Sequence, residues 1–252
     1  METLGTLIDA LPYIAGGMGI TAVMVIMAML LGLIIGIPLA VFQVYGSFAT
    51  RKAAAVYIWF FRGVPVLVLM FLVFFGIFGM AESFYNNYIM DVTFNLGPFG
   101  KFTPRARLNI PPFWAAVLVL GLVTAAYQSQ IFRGAIQSLP QGQMNAAKAL
   151  GFTESKAIRT IILPQALRLS IPAWSNEYSI ILKDSAVAFA LGTMEIMART
   201  HFVASRTYQH LPLYILAGLL YFILTWIGVR ALLQLERKVR IPGYSNQQEL
   251  QL

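Results

Sequence analysis

Long uncharged hydrophobic runs alternate with short polar and basic stretches along this sequence. A membrane-crossing helix needs about 20 mostly apolar residues. The runs therefore predict about five spans, at residues 19–44, 53–80, 111–132, 165–191 and 211–233. The fourth run is unusual because charged side chains lie inside it. This pattern predicts an all-α integral membrane protein with one transmembrane domain over residues 1–252.

The composition agrees with lipid as the solvent of this chain. Its 252 residues are 58% hydrophobic and 11% charged, with a mean hydropathy of +0.71. A soluble domain carries about 25% charged residues, so this chain has too little polar surface to face water all round. The absence of cysteine excludes a disulfide, a thiol nucleophile and a cysteine-ligated metal site.

The net charge of +8 could indicate either nucleic acid binding or basic loops on the cytoplasmic side of a membrane. The second interpretation is favoured, and no nucleic acid partner is expected, because the basic residues cluster between hydrophobic runs. The predicted inner loops and tail contain Arg51, Lys52, Arg133, Lys148, Lys156, Arg159, Arg168, Arg230, Arg237, Lys238 and Arg240. The predicted outer segments contain Lys101, Arg105, Arg107, Arg199 and Arg206. This bias predicts an outer N-terminus and a cytoplasmic C-terminus. The first run lacks a basic flank before it, so we expect a retained helix rather than a signal peptide.

The stretch 137–164, between the third and fourth predicted spans, is too polar for the lipid interior. It predicts a helix–turn–helix with Ser138 as the cap of the first helix. Gly151 provides the residue type that ends a helix, and Thr153 can cap the next one. Pro164 is expected to close the unit where the fourth span begins. Such a unit on the inner face would be a rigid surface for a partner protein.

The same stretch carries a specific resemblance. Its matching positions are Asn145, Ala146, Ala147, Gly151, Ile161, Leu163 and Pro164. In their order and spacing they resemble the EAA loop of prokaryotic ABC importer permeases. The resemblance implies a coupling helix that docks on a separate ATPase subunit. Asn145 stands where that family usually has glutamate.

Further tracts are similar to the polar amino acid importers within that family. They are Phe61–Pro65, Ala126–Gly134 with Gln130 in place of the usual Glu, the pair Gly142 and Gln143, Leu163–Arg168, and Asn176–Ser185. The resemblance implies a permease subunit in a bacterial or archaeal plasma (inner) membrane. It also implies a pair of ATPases, a second copy of this permease or a homologous one, and an external solute-binding protein as partners.

The fourth run carries the candidate substrate site. Charge at bilayer depth is costly and normally faces a cavity or a partner. Because helical positions seven apart lie on nearly the same face, Asn176 stacks under Lys183 and Glu177 under Asp184. We hypothesise that Glu177 and Asp184 receive the ammonium group of an amino acid, Lys183 its carboxylate, and Asn176 a hydrogen bond. The alternatives are an internal ion-pair network that orients helices, or polar contacts to a second subunit.

Motifs of other functions are missing. The pair Gly100 and Lys101 lacks the rest of a phosphate-binding loop, so ATP and Mg²⁺ are expected on a partner subunit and no cofactor on this chain. No catalytic or metal-binding constellation is seen, which disfavours a membrane-embedded enzyme. A secondary transporter or channel would show inverted repeats or a self-contained pore. The same importer architecture could also serve another small zwitterion such as an opine, and the particular amino acid is left open.

Overall fold

The computed structural model describes residues 2–95, 101–104 and 106–239. Gly100, Arg105 and Arg240, on which part of the sequence analysis depends, lie outside these ranges. The helices are α1 (Glu2–Ala15), α2 (Gly17–Tyr45), α3 (Phe48–Gly63), α4 (Val66–Phe71), α5 (Gly79–Phe84), α6 (Pro112–Gln137), α7 (Gly142–Ala149), α8 (Glu154–Ala157), α9 (Leu163–Asp184), α10 (Ile196–Thr207) and α11 (His210–Val239). Wider π turns at Leu72–Phe78 and Tyr85–Ile89 extend α4 and α5 into one helical run, and a 3₁₀ turn at Ser185–Leu191 follows α9. Strands β1 (Phe94–Asn95) and β2 (Lys101–Phe102) form an antiparallel pair.

Within the described residues, 4 helical stretches are long and apolar enough to cross a membrane. They are Gly5–Tyr45, Val66–Ile89, Pro112–Gln137 and His210–Val239. The predicted fourth span corresponds to α9, a helix of 22 residues. Its charged side chains keep it below the hydropathy of the other stretches, so a fifth crossing stays a prediction.

The predicted continuous span 53–80 is wrong, because the chain breaks before Pro65. Helix α3 ends at Gly63, and Val64 adopts an extended conformation with φ −95° and ψ 132°. Proline lacks an N–H and disfavours helical geometry in the residue before it, which explains the break. The apolar run therefore begins at Val66, and α3 is a separate helix held to α6 by the Tyr57 hydroxyl, which donates to the Leu122 carbonyl at 2.8 Å.

Helix α6 lies at the centre of the fold and packs most extensively against α2. Small residues allow this close approach. A Cβ added at Gly32 would lie 2.5 Å from both Thr124 Cγ2 and Gln128 Nε2, and one at Gly36 would lie 3.1 Å from the Ala125 carbonyl. Helices in lipid associate through such small-residue contacts because burial of apolar surface provides no driving force there. The glycine pair on α2 therefore sets how near α6 can come.

Beyond the 3₁₀ turn that follows α9, hydrogen bonds of Glu195 and Ile196 join three helices. Glu195 is fully buried and caps α10, its Oε1 accepting from the Ala198 N–H at 2.7 Å. The Tyr221 hydroxyl of α11 donates to the other carboxylate oxygen. Thr21 of α2 accepts from the neighbouring Ile196 N–H at 3.4 Å. These bonds fix α2, α10 and α11 around the end of the helix that carries the candidate site.

The 137–164 loop forms a helix–turn–helix whose details differ from the prediction at two residues. Ser138 does not cap α7. It ends α6, and its hydroxyl donates to the Ala135 carbonyl at 2.8 Å. Pro164 does not close the unit either, because α8, a π turn at Ile158–Ile162 and α9 follow one another without a break. The wider π turn lies directly before Pro164, and such a local change of helix geometry accommodates a residue that has no N–H to donate.

Candidate functional site

The four predicted substrate residues on α9 lie in two columns with opposite surroundings. Glu177 is 4% exposed and Asp184 is half-buried. Asn176 and Lys183 are both exposed. The structure therefore brings Glu177 and Asp184 to the side of α9 that faces the helix bundle and leaves Asn176 and Lys183 on its open side.

Glu177 is held by a hydroxyl on the central helix. Thr124 Oγ1 of α6 donates to Glu177 Oε1 at 2.6 Å, and Thr124 itself is fully buried. A buried carboxylate is stable only when hydrogen bonds or opposite charge compensate its lost hydration. This bond fixes one carboxylate oxygen and leaves the other available to a further partner.

A buried amide on α6 extends this pair into a polar layer that reaches α2. Gln128 is fully buried, and its Nε2 donates to the Met29 carbonyl at 3.1 Å and to Thr124 Oγ1 at 3.3 Å. The layer thus runs from α2 through α6 to Glu177 on α9. Gly32 makes room for it, since a side chain there would collide with both Thr124 and Gln128.

Arg62 contributes a positive charge near this polar layer. Its guanidinium lies 4.8 Å from the centroid of the Tyr127 ring, a cation–π geometry. Its charge lies close enough to Glu177 of α9 for an electrostatic interaction. Arg62 lies in the last turn of α3 and Tyr127 lies on α6, so their contact joins the end of α3 to the central helix.

Neither Lys183 nor Asp184 forms an ion pair or a side-chain hydrogen bond within the part of the chain that the structure describes. Lys183 attracts Asp184 electrostatically without closing a bridge. An internal ion-pair network, the alternative considered from the sequence, is therefore not formed among these described residues. One cation, Lys183, and one carboxylate, Asp184, are left with open coordination beside the fixed carboxylate of Glu177.

The second predicted site is the helix–turn–helix. Asn145 and Ala146 are exposed on α7, whereas Ala147 is 2% exposed and packs inward. Gly151 has φ +80°, the left-handed conformation that glycine adopts at little cost. Thr153 caps α8 by accepting from the Lys156 N–H, as predicted.

The remaining residues of that predicted site lie where α8 runs into α9. Ile161 and Leu163 are half-buried, and Pro164 is exposed. Outside the predicted set, Lys148 of α7 and Glu154 of α8 form an ion pair at 3.2 Å across the turn. The exposed side of the unit therefore presents Asn145, Ala146 and Gly151 while its inner side packs on the bundle.

Sequence reasoning missed Thr124, Gln128 and Arg62 as parts of the polar layer. The available signal was the spacing of Thr124 and Gln128, which are four positions apart and thus share one face of α6. Arg62 belongs to a tract that the sequence analysis had singled out, but only the geometry connects that tract with α9. Within the described residues no group of three or more metal-ligating side chains occurs.

Comparison with known proteins gives one consistent family. The family model described as "Binding-protein-dependent transport system inner membrane component" matches residues 28–241. The "Probable amino-acid permease protein YxeN" of Bacillus subtilis is 34% identical over 221 residues, 88% of each chain. The "Nopaline transport system permease protein NocM" of Agrobacterium fabrum is 28% identical over 91% of this chain and 89% of its own. A crystal structure of "an amino acid ABC transporter with histidines" has a TM-score of 0.73 at 27% identity, covering 92% of this chain and 96% of that one.

Proposed function

This chain belongs to the family of binding-protein-dependent transport system inner membrane components, and on that premise we propose that it is the permease subunit of an ATP-driven importer of polar amino acids. It would move the solute by alternating access. ATP and Mg²⁺ would be bound by a separate pair of ATPase subunits, because no phosphate-binding loop occurs in this sequence. The other partners are a second permease subunit, an external solute-binding protein and membrane lipid.

The observation that carries the amino acid assignment is the set of charges around α9. A free amino acid presents an ammonium group and a carboxylate. Glu177 and Asp184 would receive the ammonium group, and Lys183 would pair with the carboxylate. Open coordination of Lys183 and Asp184 supports this role, because side chains already paired with each other would not be free to bind a zwitterion. Asn176, on the same face as Lys183, would add a hydrogen bond.

The helix–turn–helix would be the docking site of the ATPase on the cytoplasmic side. Its exposed residues Asn145, Ala146 and Gly151 are small or uncharged, which allows close approach of another backbone. Ala147, Ile161 and Leu163 would keep the unit fixed to the bundle, and Pro164 would lie on the side open to the ATPase. The C-terminus would lie on the same side, and the N-terminus outside, in keeping with the bias of basic residues.

Substitution of Gly151 offers the sharpest test of this docking site. A Cβ at this position would meet nothing within 4 Å, so only the backbone conformation penalises substitution. A left-handed conformation costs most residues about 1–2 kcal/mol, and β-branched residues more, whereas asparagine tolerates it. In proteoliposomes with the ATPases and the solute-binding protein, we expect Gly151→Val to lower ATP-dependent uptake at least about tenfold and Gly151→Asn to stay near wild type.

Two results would contradict the proposal. One is undiminished uptake by Gly151→Val, and the other is solute movement by the purified chain without an ATPase. Co-purification of a tagged chain provides a further check, since an ATPase should accompany it.

A second solute class can be tested in the same proteoliposomes. Relatedness to a permease named for nopaline transport favours an opine-like zwitterion as the alternative. Competition of unlabelled nopaline or octopine against labelled amino acids would separate the two classes.

A further inference from the structure

Two glutamine side chains join the helix–turn–helix directly to the helix of the candidate substrate site. Gln143 Nε2 of α7 donates to Gln165 Oε1 at 3.0 Å, and Gln165 Nε2 of α9 donates to Gln143 Oε1 at 2.8 Å. Each amide thus acts as donor and acceptor to the other. We call this reciprocal pair the amide clasp.

The clasp has a defined orientation. Gln165 Nε2 also donates to the Ile161 carbonyl at 2.8 Å, so its nitrogen must face that carbonyl and its oxygen must face Gln143. Three hydrogen bonds therefore hold the Gln165 side chain in one rotamer. Both glutamines are half-buried, which limits competition from water.

The clasp connects two parts that the fold otherwise joins through a turn and the exposed ion pair of Lys148 with Glu154 across it. Gly151 lies in the chain between α7 and α8, and its left-handed conformation reverses the direction of the chain. A change in the angle of this turn would tilt α7 without moving α9. The clasp opposes such a tilt because Gln143 lies near the start of α7 and Gln165 in the first turn of α9. Contacts of Met144 with the cluster around Ile162 support the same side of α7.

Helix α9 continues this connection towards the candidate substrate site. Gln165 and Glu177 lie on the same helix, separated by about 18 Å at about 1.5 Å of rise per residue. The helix runs over Leu163–Asp184 and contains Pro172 between Gln165 and Glu177 without ending there. A displacement applied to α7 and passed through the clasp would reach Glu177 through α9.

We propose that Gln143 and Gln165 are positioning residues that make α7 and α9 move as one body, so that ATPase movement at α7 reaches the substrate residues of α9. This inference rests on the proposed function, since it concerns how the same importer transmits movement. Neither glutamine would touch the solute. Loss of the clasp should therefore change how much solute moves per ATP, and not the affinity for the solute.

Substitution tests the clasp in proteoliposomes that contain the complete transporter. Gln143→Ala and Gln165→Ala should each lower uptake per ATP hydrolysed at least about fivefold, with the KM for solute within about twofold of wild type. The double variant should lose no more uptake per ATP than the more impaired of the two single variants, because both changes break the same pair. Gln141→Ala is the matched control, since Gln141 is an exposed glutamine of the same loop whose side chain provides no cap to α7.

A pair of opposite charges at these two positions tests whether the bond itself matters. In the double variant Gln143→Glu/Gln165→Lys, the ammonium group can donate both to the new carboxylate and to the Ile161 carbonyl. It should recover at least about half of wild-type uptake per ATP, whereas Gln143→Glu/Gln165→Glu should recover none, because like charges repel. Independent, additive losses in the alanine variants, or a fall in solute affinity as the main effect, would overturn the proposal.

Cross-linking separates failure of the clasp from failure of the proposed function. The chain contains no cysteine, so Gln143→Cys/Gln165→Cys introduces the only thiols of this subunit. Joining them with a short thiol-specific cross-linker should raise the uptake per ATP above that of the unlinked double variant, since the link replaces the lost amide bonds between α7 and α9. Uptake per ATP that is lower in the linked form than in the unlinked form would mean that α7 and α9 must move apart and the clasp proposal is wrong. A wild-type complex that takes up no amino acid would instead contradict the proposed function.

Discussion

Both faces of α9 carry polar side chains, but one face is buried in the helix bundle and the other is exposed. On the inward face, the Glu177 carboxylate is buried and receives the Thr124 hydroxyl at 2.6 Å. On the outward face, Asn176 and Lys183 are exposed. A fixed carboxylate thus lies one residue away from an amide that the surrounding helices leave uncovered.

This difference indicates two ways of recognising one zwitterion. A group held by a buried hydrogen bond is already oriented, so little freedom is lost when it binds an ammonium group. An exposed lysine keeps its rotamer freedom and stays hydrated until a carboxylate reaches it. We therefore expect the inward face to tolerate substitution least and the outward face to affect affinity without affecting the fold.

The largest effect is expected at Glu177. Glu177→Leu removes the charge and leaves the buried Thr124 hydroxyl without its acceptor, and each of these losses is worth about 1–3 kcal/mol. Uptake by the reconstituted transporter should fall at least about 100-fold. The measurement is initial uptake rate against solute concentration.

Glu177→Gln is the matched control for that variant. The amide oxygen still accepts from Thr124, so the thermal unfolding of the complex should stay close to wild type while uptake remains strongly reduced. Wild-type uptake by Glu177→Gln would mean that the inward carboxylate supports the helix bundle and does not bind the solute.

The pairing of positions on α9 followed from the sequence, but the direction of each column did not. A helical period of about 3.6 residues dictates that Glu177 aligns with Asp184 and Asn176 with Lys183. Which column faces the bundle depends on how α9 packs against α6, and that packing depends on Thr124, a residue far away in the chain. Hydropathy cannot supply such a contact.

The second effect in size is expected at Lys183. Lys183→Ala removes a charge-assisted hydrogen bond to the solute carboxylate, at the lower end of about 1.5–3 kcal/mol because the side chain is exposed. The KM for solute should rise about tenfold, with no change in thermal unfolding. The KM of Lys183→Arg should lie between those of wild type and Lys183→Ala. If Lys183→Ala and Asp184→Ala both kept normal uptake with ATP hydrolysis still coupled, the site assignment would be wrong.

The spans show the same division between what the pattern predicts and what packing decides. The predicted runs 19–44, 111–132 and 211–233 lie within α2 (Gly17–Tyr45), α6 (Pro112–Gln137) and α11 (His210–Val239), apart from one residue at the start of the second run. Long apolar stretches must be helical in lipid, because every backbone group needs a partner within the chain.

The prolines show a limit of predicting continuous helices from apolar runs. Pro38 lies inside α2 without ending it, whereas α3 ends two residues before Pro65. Both prolines occur in apolar runs, so hydropathy treats them alike. They differ in local structure: Val64 before Pro65 is extended, and Arg62 in the last turn of α3 lies over the Tyr127 ring.

The smallest effect is expected at Thr124, whose role is to orient the inward carboxylate. Thr124→Val keeps the shape of the side chain but removes the hydroxyl that donates to Glu177. A hydrogen bond contributes a net free energy of about 1 kcal/mol, so the KM for solute should rise about fivefold, less than for Lys183→Ala. Thr124→Ser keeps the donor and should stay within about twofold of wild type. An equal loss in the serine and valine variants would assign the effect to the missing methyl group and its packing, and the distinction between a pre-oriented inward face and an adaptable outward face would then fail.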